Sequence, residues 1–213
     1  EKSKPLVLFS GDLYSPSIMS NIYEGKQMIK PINSFGVHVA LYGNHDFDFD
    51  VEDLTKLTAQ NNFPWLLSNV TWKDGERIAN GKEYVIIEHC GHRIGIMGLI
   101  EYDWLQTLEN IPLDAVEYTD FILKAKELSE KFINEDKCDL VIALTHMRNP
   151  HDEELAREVS TIDLILGGHD HCIETARVND TYFIKSGTDF RNLGHIELTF
   201  PSAEEIEQIK KGS

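Results

Sequence analysis

Residues 164–172 read LILGGHDHC and combine a short apolar run with a dense polar end. The run 164–166 is typical of a buried strand, and two glycines separate it from His169, Asp170 and His171. In an extended segment residues i and i+2 point to the same side, so we expect His169 and His171 to converge on one point. The glycines keep side-chain bulk away from that point. The stretch therefore predicts a metal site at a strand end, and the alternative is a polar turn with two exposed histidines.

The same arrangement occurs at three other places in the chain. Apolar runs at 6–9, 39–42 and 140–144 each end in small or polar residues that can bind a metal. Helical patterns lie between the apolar runs, at residues 25–35, 50–61, 120–134 and 152–159. Strands that alternate with helices are typical of parallel sheets, in which ligands bind at the carboxyl ends of the strands. We therefore expect the four strand ends to face one crevice.

Further segments predict antiparallel strands. Residues 83–88 and 93–100 flank the sequence HCGH and predict one hairpin, while 177–178 and 181–185 predict another. Residues 195–200 predict a last strand. No repeat, low-complexity tract or Pro/Gly-rich linker interrupts the chain. The sequence therefore predicts one compact α/β domain with a mixed sheet or a second sheet.

Composition narrows the classes of function. The formal net charge of −16 over 213 residues argues against a nucleic-acid duplex as partner, because such binding depends on Lys and Arg. The sequence has no run of about 18 apolar residues, so we expect a soluble chain without a membrane partner. Cys90, Cys138 and Cys172 are too few and too scattered for a disulfide framework and indicate reduced thiols. The sequence does not decide the cellular compartment of the protein, although it slightly favours the cytoplasm.

The strand ends offer one carboxylate, one amide oxygen and three imidazoles, from Asp12, Asn44, His146, His169 and His171. Mixed N and O ligands without thiolate are typical of divalent Zn, Mn, Fe or Co. Five ligands exceed the three that a four-coordinate catalytic ion takes, so we expect two ions that share the carboxylate. Two such ions, about 3.5–4 Å apart, activate a bridging hydroxide and hold both oxygens of an in-line phosphoryl displacement. The ligand set therefore predicts hydrolysis of phosphate esters.

Residues 43–50, GNHDFDFD, place a second functional group beside a ligand. His45 adjoins Asn44, and Asp48 can orient its ring, so we predict that His45 donates a proton to the leaving oxygen or stabilises its charge. Asp50 is expected to cap the helix that follows. The alternative is an acidic loop whose aspartates only cap that helix.

Four ordered blocks now resemble a known family. Gly11-Asp12, residues 43–46, His146 and residues 168–171 resemble the GD, GNHD/E, H and GHxH blocks of the calcineurin-like metallophosphoesterases. The sequences GNHDFD, LLSNV and DLILGGHDH resemble the 5′-nucleotidase branch most closely. The resemblance implies an α/β sandwich of two mixed β-sheets flanked by helices. It also implies an enzyme that hydrolyses small phosphate esters, with nucleotides as candidate substrates.

The resemblance further implies a role for each site residue. Asp12 would be the bridging carboxylate, with Asn44, His146 and His169 on one ion and His171 on the other. The catalytic His-Asp pair of the family falls on His45 and Asp48. Substrate-binding residues are not identified. Arg148 and Arg191 are candidates for a phosphate contact or for surface ion pairs, and His151 for a cap or surface role.

Two departures from the family pattern keep other functions open. The D-x-H block that precedes GD in the family, and completes the second metal shell, is not found in this sequence. Nothing in it corresponds to the nucleoside-binding domain of 5′-nucleotidases. We therefore expect residues 1–213 to be a catalytic domain that lacks an N-terminal strand and that second domain. The alternatives are a metal-binding or regulatory module with one occupied site, and a one-zinc hydrolase of unrelated fold.

Overall fold

The structure, a computed structural model, describes residues 5–201. Over this range strands alternate with helices, as the sequence predicts. The strands are β1 (Leu8–Phe9), β2 (Val39–Leu41), β3 (Trp65–Leu66), β4 (Val70–Trp72), β5 (Tyr84–His89), β6 (His92–Ile100), β7 (Val116–Tyr118), β8 (Leu140–His146), β9 (Leu164–Gly167), β10 (Ile173–Val178) and β11 (Thr181–Ser186). The α-helices are α1 (Ile18–Tyr23), α2 (Ile29–Ser34), α3 (Val51–Thr58), α4 (Tyr102–Gln106), α5 (Phe121–Asn134) and α6 (Asn149–Glu158). Short 3-10 helices span Lys26–Met28, Asn44–Phe47, Ile78–Asn80 and Leu113–Ala115.

Within the described range the strands form three sheets. A parallel sheet has the order β1-β2-β3, and a six-stranded mixed sheet has the order β10-β11-β9-β8-β6-β5. In the mixed sheet β11, β9, β8 and β6 are parallel, whereas β10 and β5 pair antiparallel at its two edges. Strands β4 and β7 form a small antiparallel pair. The predicted α/β fold with more than one sheet is therefore confirmed.

Strand β6 shows how the six-stranded sheet lies between two apolar layers. Ile96 and Ile100 pack in a buried cluster that also contains the three-stranded sheet. Met97 and Leu99 pack in a second cluster with residues of α5 and α6. Because successive strand residues point to opposite faces, one strand contributes to both layers. This double burial explains why the strands read as continuous apolar runs.

Two helices begin at aspartate caps, of which the sequence analysis predicts Asp50 as a cap and places Asp120 at the start of a helical pattern. Asp50 Oδ1 accepts from Glu52 N at 2.8 Å at the start of α3. Asp120 Oδ1 accepts two backbone N–H groups of α5, at 3.0 and 3.2 Å. A carboxylate at this position satisfies amides that have no partner within the helix and interacts favourably with the helix dipole. Both helix predictions are confirmed.

The other predicted elements need small adjustments. Both predicted hairpins are present, as β5 with β6 and as β10 with β11. The helical pattern at 25–35 forms a 3-10 turn followed by α2. Helix α6 begins at Asn149, three residues before the predicted start at Asp152. Pro150 lies in its first turn, where proline is tolerated because the N–H there has no helical acceptor.

The strand predicted for residues 195–200 is wrong, since this segment has no regular secondary structure. Residues 195–198 line a cavity of about 700 Å³ together with residues of β9 and β11, among them Leu164 and Ile184. Alternating apolar residues form a strand only where a neighbouring strand can complete their hydrogen bonds. Within residues 5–201 no strand pairs with this segment.

No helix among residues 5–201 is long and apolar enough to cross a membrane. Cys90, Cys138 and Cys172 carry free thiols. Trp65 and Trp104 are buried in the core, which is the ordinary use of tryptophan.

Candidate functional site

The candidate residues lie where the ends of β1, β2, β8 and β9 meet. Asp12 follows β1 and Asn44 follows β2, its neighbour in the three-stranded sheet. His146 is the last residue of β8, and His169 comes two residues after β9, its neighbour in the six-stranded sheet. We call this junction between the two sheets the seam. Each sheet therefore contributes two of the predicted ligands.

The buried ring of His146 is oriented by a hydrogen bond at Nδ1, and its Nε2 faces two oxygens. His146 Nδ1 lies 2.8 Å from the carbonyl oxygen of Ser10, which can only accept, so Nδ1 is the donor. His146 Nε2 lies 3.1 Å from Asp12 Oδ2 and 3.2 Å from Asn44 Oδ1. A backbone acceptor at one ring nitrogen leaves the other free to bind a metal, as in most metal-ligating histidines.

The three donor atoms at this point fit one divalent ion. Ligands about 2.1 Å from an ion lie roughly 3.0–3.4 Å from one another in octahedral or tetrahedral geometry. The distances of 3.1 and 3.2 Å from His146 Nε2 to the two oxygens match that separation. Among residues 5–201 no three His, Cys, Asp or Glu side chains are grouped closely enough to hold an ion by themselves. The third donor is the amide oxygen of Asn44.

Three glycines surround the ring of His146. A Cβ on Gly11 would lie 2.6 Å from His146 Nδ1, and one on Gly168 would lie 2.9 Å from the same atom. A Cβ on Gly43 would lie 2.7 Å from His146 Cε1. Real Cβ atoms essentially never come within 3.0 Å of another group, so a side chain at any of these positions would displace the ring. Close packing around one imidazole thus explains the glycine in each block.

Asp12 and His146 stabilise each other's charged forms. Burial raises the pKa of the Asp12 carboxyl, but the His146 imidazole and the backbone N–H of His45 lower it, and the net shift is downward. Burial lowers the pKa of His146, but Asp12 raises it, and the net shift is upward. Asp12 is therefore ionised at neutral pH, which is the form that binds a metal.

Asp46 is a fully buried carboxylate that joins the two ligand loops of the three-stranded sheet. Its oxygens accept the backbone N–H groups of Asp12, Leu13, Tyr14 and Gly43 at 2.8–3.0 Å. Burial and the nearby Asp12 carboxylate raise the pKa of Asp46 to about 7, against the lowering effect of these donors. Asp46 therefore positions the loops rather than capping a helix, and its signal in the sequence is the fourth letter of GNHD.

His45 and Asp48 form a pair beside the ligands. His45 Nδ1 lies 3.0 Å from Asp48 Oδ2, and each side chain is 36% exposed. Asp48 Oδ2 also accepts from Ser15 Oγ at 2.6 Å. The backbone N–H of His45 donates to Asp12 Oδ1 at 3.0 Å, which links the pair to the Asp12 carboxylate. Because Nδ1 faces Asp48, Nε2 is the nitrogen of His45 that is available to a substrate.

The backbone of the GGHDH stretch differs from the prediction. β9 ends at Gly167, and His169 and His171 have left-handed backbone angles, with φ of 78° and 55°. The expectation of an extended segment is therefore wrong, because the chain turns directly after the strand. The rings of His169 and His146 lie 5.0 Å apart between centroids, whereas His171 is exposed. Ligation by His171 stays a prediction.

Glu101 is a buried carboxylate at the site that the motifs do not reveal. It follows β6, its side chain is 1% exposed, and it accepts from Arg148 N at 3.1 Å and Arg148 Nε at 2.8 Å. It also contacts His151 and lies 3.7 Å from His169 Nε2. Arg148 is thus held in an ion pair, and His151 has an internal partner. The available signal was an acidic residue placed directly after a long apolar strand.

A protein family matches most of the chain. The family model described as calcineurin-like phosphoesterase matches residues 1–173. The matched range includes all five predicted ligands and the His45-Asp48 pair.

Curated relatives are similar over nearly the whole chain. The trifunctional nucleotide phosphoesterase protein YfkN of Bacillus subtilis is 26% identical over an alignment 247 residues long, gaps included. The alignment covers 99% of this chain and 17% of the relative. The 5′-nucleotidase of Vibrio vulnificus is 26% identical over an alignment 236 residues long, gaps included. This alignment covers 96% of this chain and 42% of the relative. The chain therefore spans less than half the length of either relative.

Solved structures share the fold at low identity. A 5′-nucleotidase precursor from Thermus thermophilus superposes with a TM-score of 0.78 at 20% identity, over 88% of this chain and 40% of the other. The NAD nucleotidase of Haemophilus influenzae superposes with a TM-score of 0.74 at 23% identity, over 86% and 40%. The predicted sandwich fold is confirmed, and the alternative of a one-zinc hydrolase of unrelated fold is wrong.

Proposed function

The chain belongs to the calcineurin-like phosphoesterase family, and from this premise we propose that it is a metal-dependent hydrolase of phosphate esters. The observation that carries the proposal is the meeting of metal donors and a proton donor at the seam. His146 Nε2 faces Asp12 and Asn44, and the backbone of His45 is hydrogen-bonded to the same Asp12 carboxylate. A metal site with a protonating group beside it suits the cleavage of a phosphate ester.

The residues of the chain have separate roles in this proposal. Asp12, Asn44 and His146 would hold the ion, and His169 would be a further ligand from the other side of the seam. A bound divalent ion supplies Lewis-acid polarisation of a phosphoryl oxygen and activation of water. His45 donates a proton from Nε2 to the leaving oxygen. Asp48 keeps the His45 ring in place.

We propose two divalent ions, of Mn, Zn, Fe or Co, with Asp12 shared between them. The described donors support one ion, and we assign no step to the second. Donors that face a single point also favour the second candidate function, a metal-binding or regulatory module with little activity. The two candidates differ in turnover and in the number of ions held, two for the enzyme and one for the module.

The names of the relatives support nucleotides as the substrates, because one is a nucleotide phosphoesterase and another a 5′-nucleotidase. We therefore propose a small phosphate ester, with nucleoside monophosphates as the first class to test. A single catalytic domain over residues 1–213 and a cytoplasmic location stay predictions, and the free thiols agree with a reducing compartment.

The test is hydrolysis of p-nitrophenyl phosphate and AMP by the full-length protein, first stripped of metal and then loaded with Mn²⁺ or Co²⁺. We expect metal-dependent turnover that is lost in Asp12→Asn and kept in Asp74→Asn, a matched change at an exposed aspartate. An ion held without turnover would favour the regulatory module. Failure of the wild type to bind any ion would contradict both candidates.

A further inference from the structure

A buried lysine lies directly behind the candidate metal ligands. Lys185 of β11 is 2% exposed, and its Nζ donates to Met147 O at 2.7 Å and to Asp170 Oδ2 at 2.8 Å. The same Nζ lies 3.0 Å from Asp152 Oδ2, on a carboxylate of α6 that is fully buried. An ammonium group is costly to bury unless its charge is paired and its protons are accepted. Two hydrogen-bond acceptors and the charges of Asp152 and Asp170 meet both requirements around Lys185.

The partners of Lys185 are the sequence neighbours of the ligands. Met147 directly follows His146, and Thr145, which directly precedes it, donates from Oγ1 to Asp152 Oδ1 at 2.6 Å. Asp170 lies between His169 and His171. The lysine therefore connects the end of β8, the start of α6 and the turn after β9.

The backbone conformation of the turn that carries His169 needs support from the surrounding structure. His169 and His171 both have left-handed φ, which is uncommon for residues other than glycine and persists only where the surroundings hold it. Asp170, between them, is held by Lys185 Nζ and by the backbone N–H of Asn149, which donates to Asp170 Oδ2 at 2.6 Å. These two bonds anchor the middle of the turn to the rest of the molecule.

Gly167 leaves the space that the lysine fills. It is the residue paired with Lys185 between β9 and β11. A Cβ on Gly167 would lie 2.8 Å from Lys185 Cε and 3.1 Å from Asp152 Oδ2. The two glycines of LILGGHDHC thus have different functions, since Gly167 accommodates the lysine and Gly168 accommodates the His146 ring.

We propose that Lys185 is a positioning residue that sets the spacing of His146 and His169 by linking Asp170 to Met147 and α6. The inference rests on the proposed function, because it concerns the same metal ligands. Lys185 acts through Asp170 and Met147, since its ammonium group carries no lone pair for a metal. Residues that orient metal ligands typically change metal affinity by about 10–100-fold when they are replaced.

The test compares Lys185→Met with Lys124→Met in the full-length protein. Lys124 is a matched control, because its side chain is only 12% exposed and forms ion pairs with two carboxylates. Lys124 and its partner Glu127 lie on α5, and the second partner, Glu83, directly precedes β5, away from the seam. Two quantities are measured for each protein: the Kd for Mn²⁺ by calorimetry, and the Tm with and without Mn²⁺. We expect Lys185→Met to weaken Mn²⁺ binding by about 10–100-fold and to reduce the rise in Tm that Mn²⁺ produces. Lys124→Met should lower the Tm of the metal-free protein and leave Mn²⁺ affinity unchanged.

A second variant covers the case in which Lys185→Met does not fold. Asp170→Asn removes one charge of the link while Lys185 keeps its partner Asp152, and it should weaken Mn²⁺ binding in the same direction. Unchanged Mn²⁺ affinity in a folded Lys185→Met, or in Asp170→Asn if the first variant is unfolded, would overturn the inference alone. If the wild type binds no Mn²⁺, the comparison is made with Co²⁺; a wild-type protein that binds neither ion would overturn the proposed function, and this inference with it.

Discussion

Gly43→Ala tests the packing of the site without altering any functional group. Gly43 has φ of −95° and ψ of 171°, which any residue adopts, so the effect of the alanine comes from its methyl group alone. That methyl carbon would lie 2.1 Å from Asp12 Oδ1 and 2.7 Å from His146 Cε1. Ordinary van der Waals contact begins at 3.4 Å, so the Asp12 oxygen must move by about 1.3 Å or the backbone must shift.

The magnitude follows from that displacement. Overpacking of this kind costs about 1–3 kcal/mol of folding free energy. A misplacement of about 1 Å in a catalytic group lowers the rate by roughly 10²-fold. We therefore expect Gly43→Ala to lose Mn²⁺ affinity and to hydrolyse p-nitrophenyl phosphate about 10²-fold more slowly than the wild type. Calorimetry, thermal unfolding and the hydrolysis rate measure the three effects.

Gly91→Ala is the control for stability. Gly91 has φ of 84° and no atom within 4 Å of its would-be Cβ, so the alanine strains the backbone by about 1–2 kcal/mol without crowding a neighbour. It should lower the Tm and leave the metal affinity and the rate unchanged. Wild-type Mn²⁺ affinity and turnover in Gly43→Ala would refute the close packing of Asp12 and His146.

Three further predictions concern individual residues. His45→Asn should lower turnover by roughly 10²–10⁴-fold and keep the metal content, with a larger loss for alkyl than for aryl phosphates because an alkyl leaving oxygen needs the proton more. Asp48→Asn should give a weaker form of this pattern. Loss of the ion from His45→Asn in elemental analysis would contradict that role. His169→Ala should lose the bound ion, and an unchanged metal content would show that His169 is not a ligand. Asp120→Ala should destabilise the protein by about 1 kcal/mol in thermal unfolding because α5 loses its cap, and an unchanged Tm would contradict this.

Local signals in the sequence predict the elements and most of the site. The apolar runs that end at Asp12, Asn44 and His146 form strands whose ends meet, because a strand buried on both faces has a recognisable sequence. Asp50 and Asp120 mark helix starts for an equally local reason, since the side chain bonds to amides two or three residues ahead.

The features that the sequence does not predict depend on distant residues. Glu101 and Lys185 read as ordinary surface charges, and they are buried only because Arg148 and Asp170 meet them in the folded chain. Helix α1 lacks a recognisable apolar pattern facing the core, since its apolar residues, including Ile18, are exposed. The turn at His169 is hidden for another reason, because histidine gives no local indication of a left-handed backbone.

The position of the candidate centre on the seam means that the proposed ion would need donors from both sheets. A partly folded chain with only the three-stranded sheet has Asp12 and Asn44, and one with only β8 and β9 has His146 and His169. Neither half alone has enough donors to retain an ion. The proposed ion would therefore join the two sheets, and its removal should lower the Tm of the folded protein.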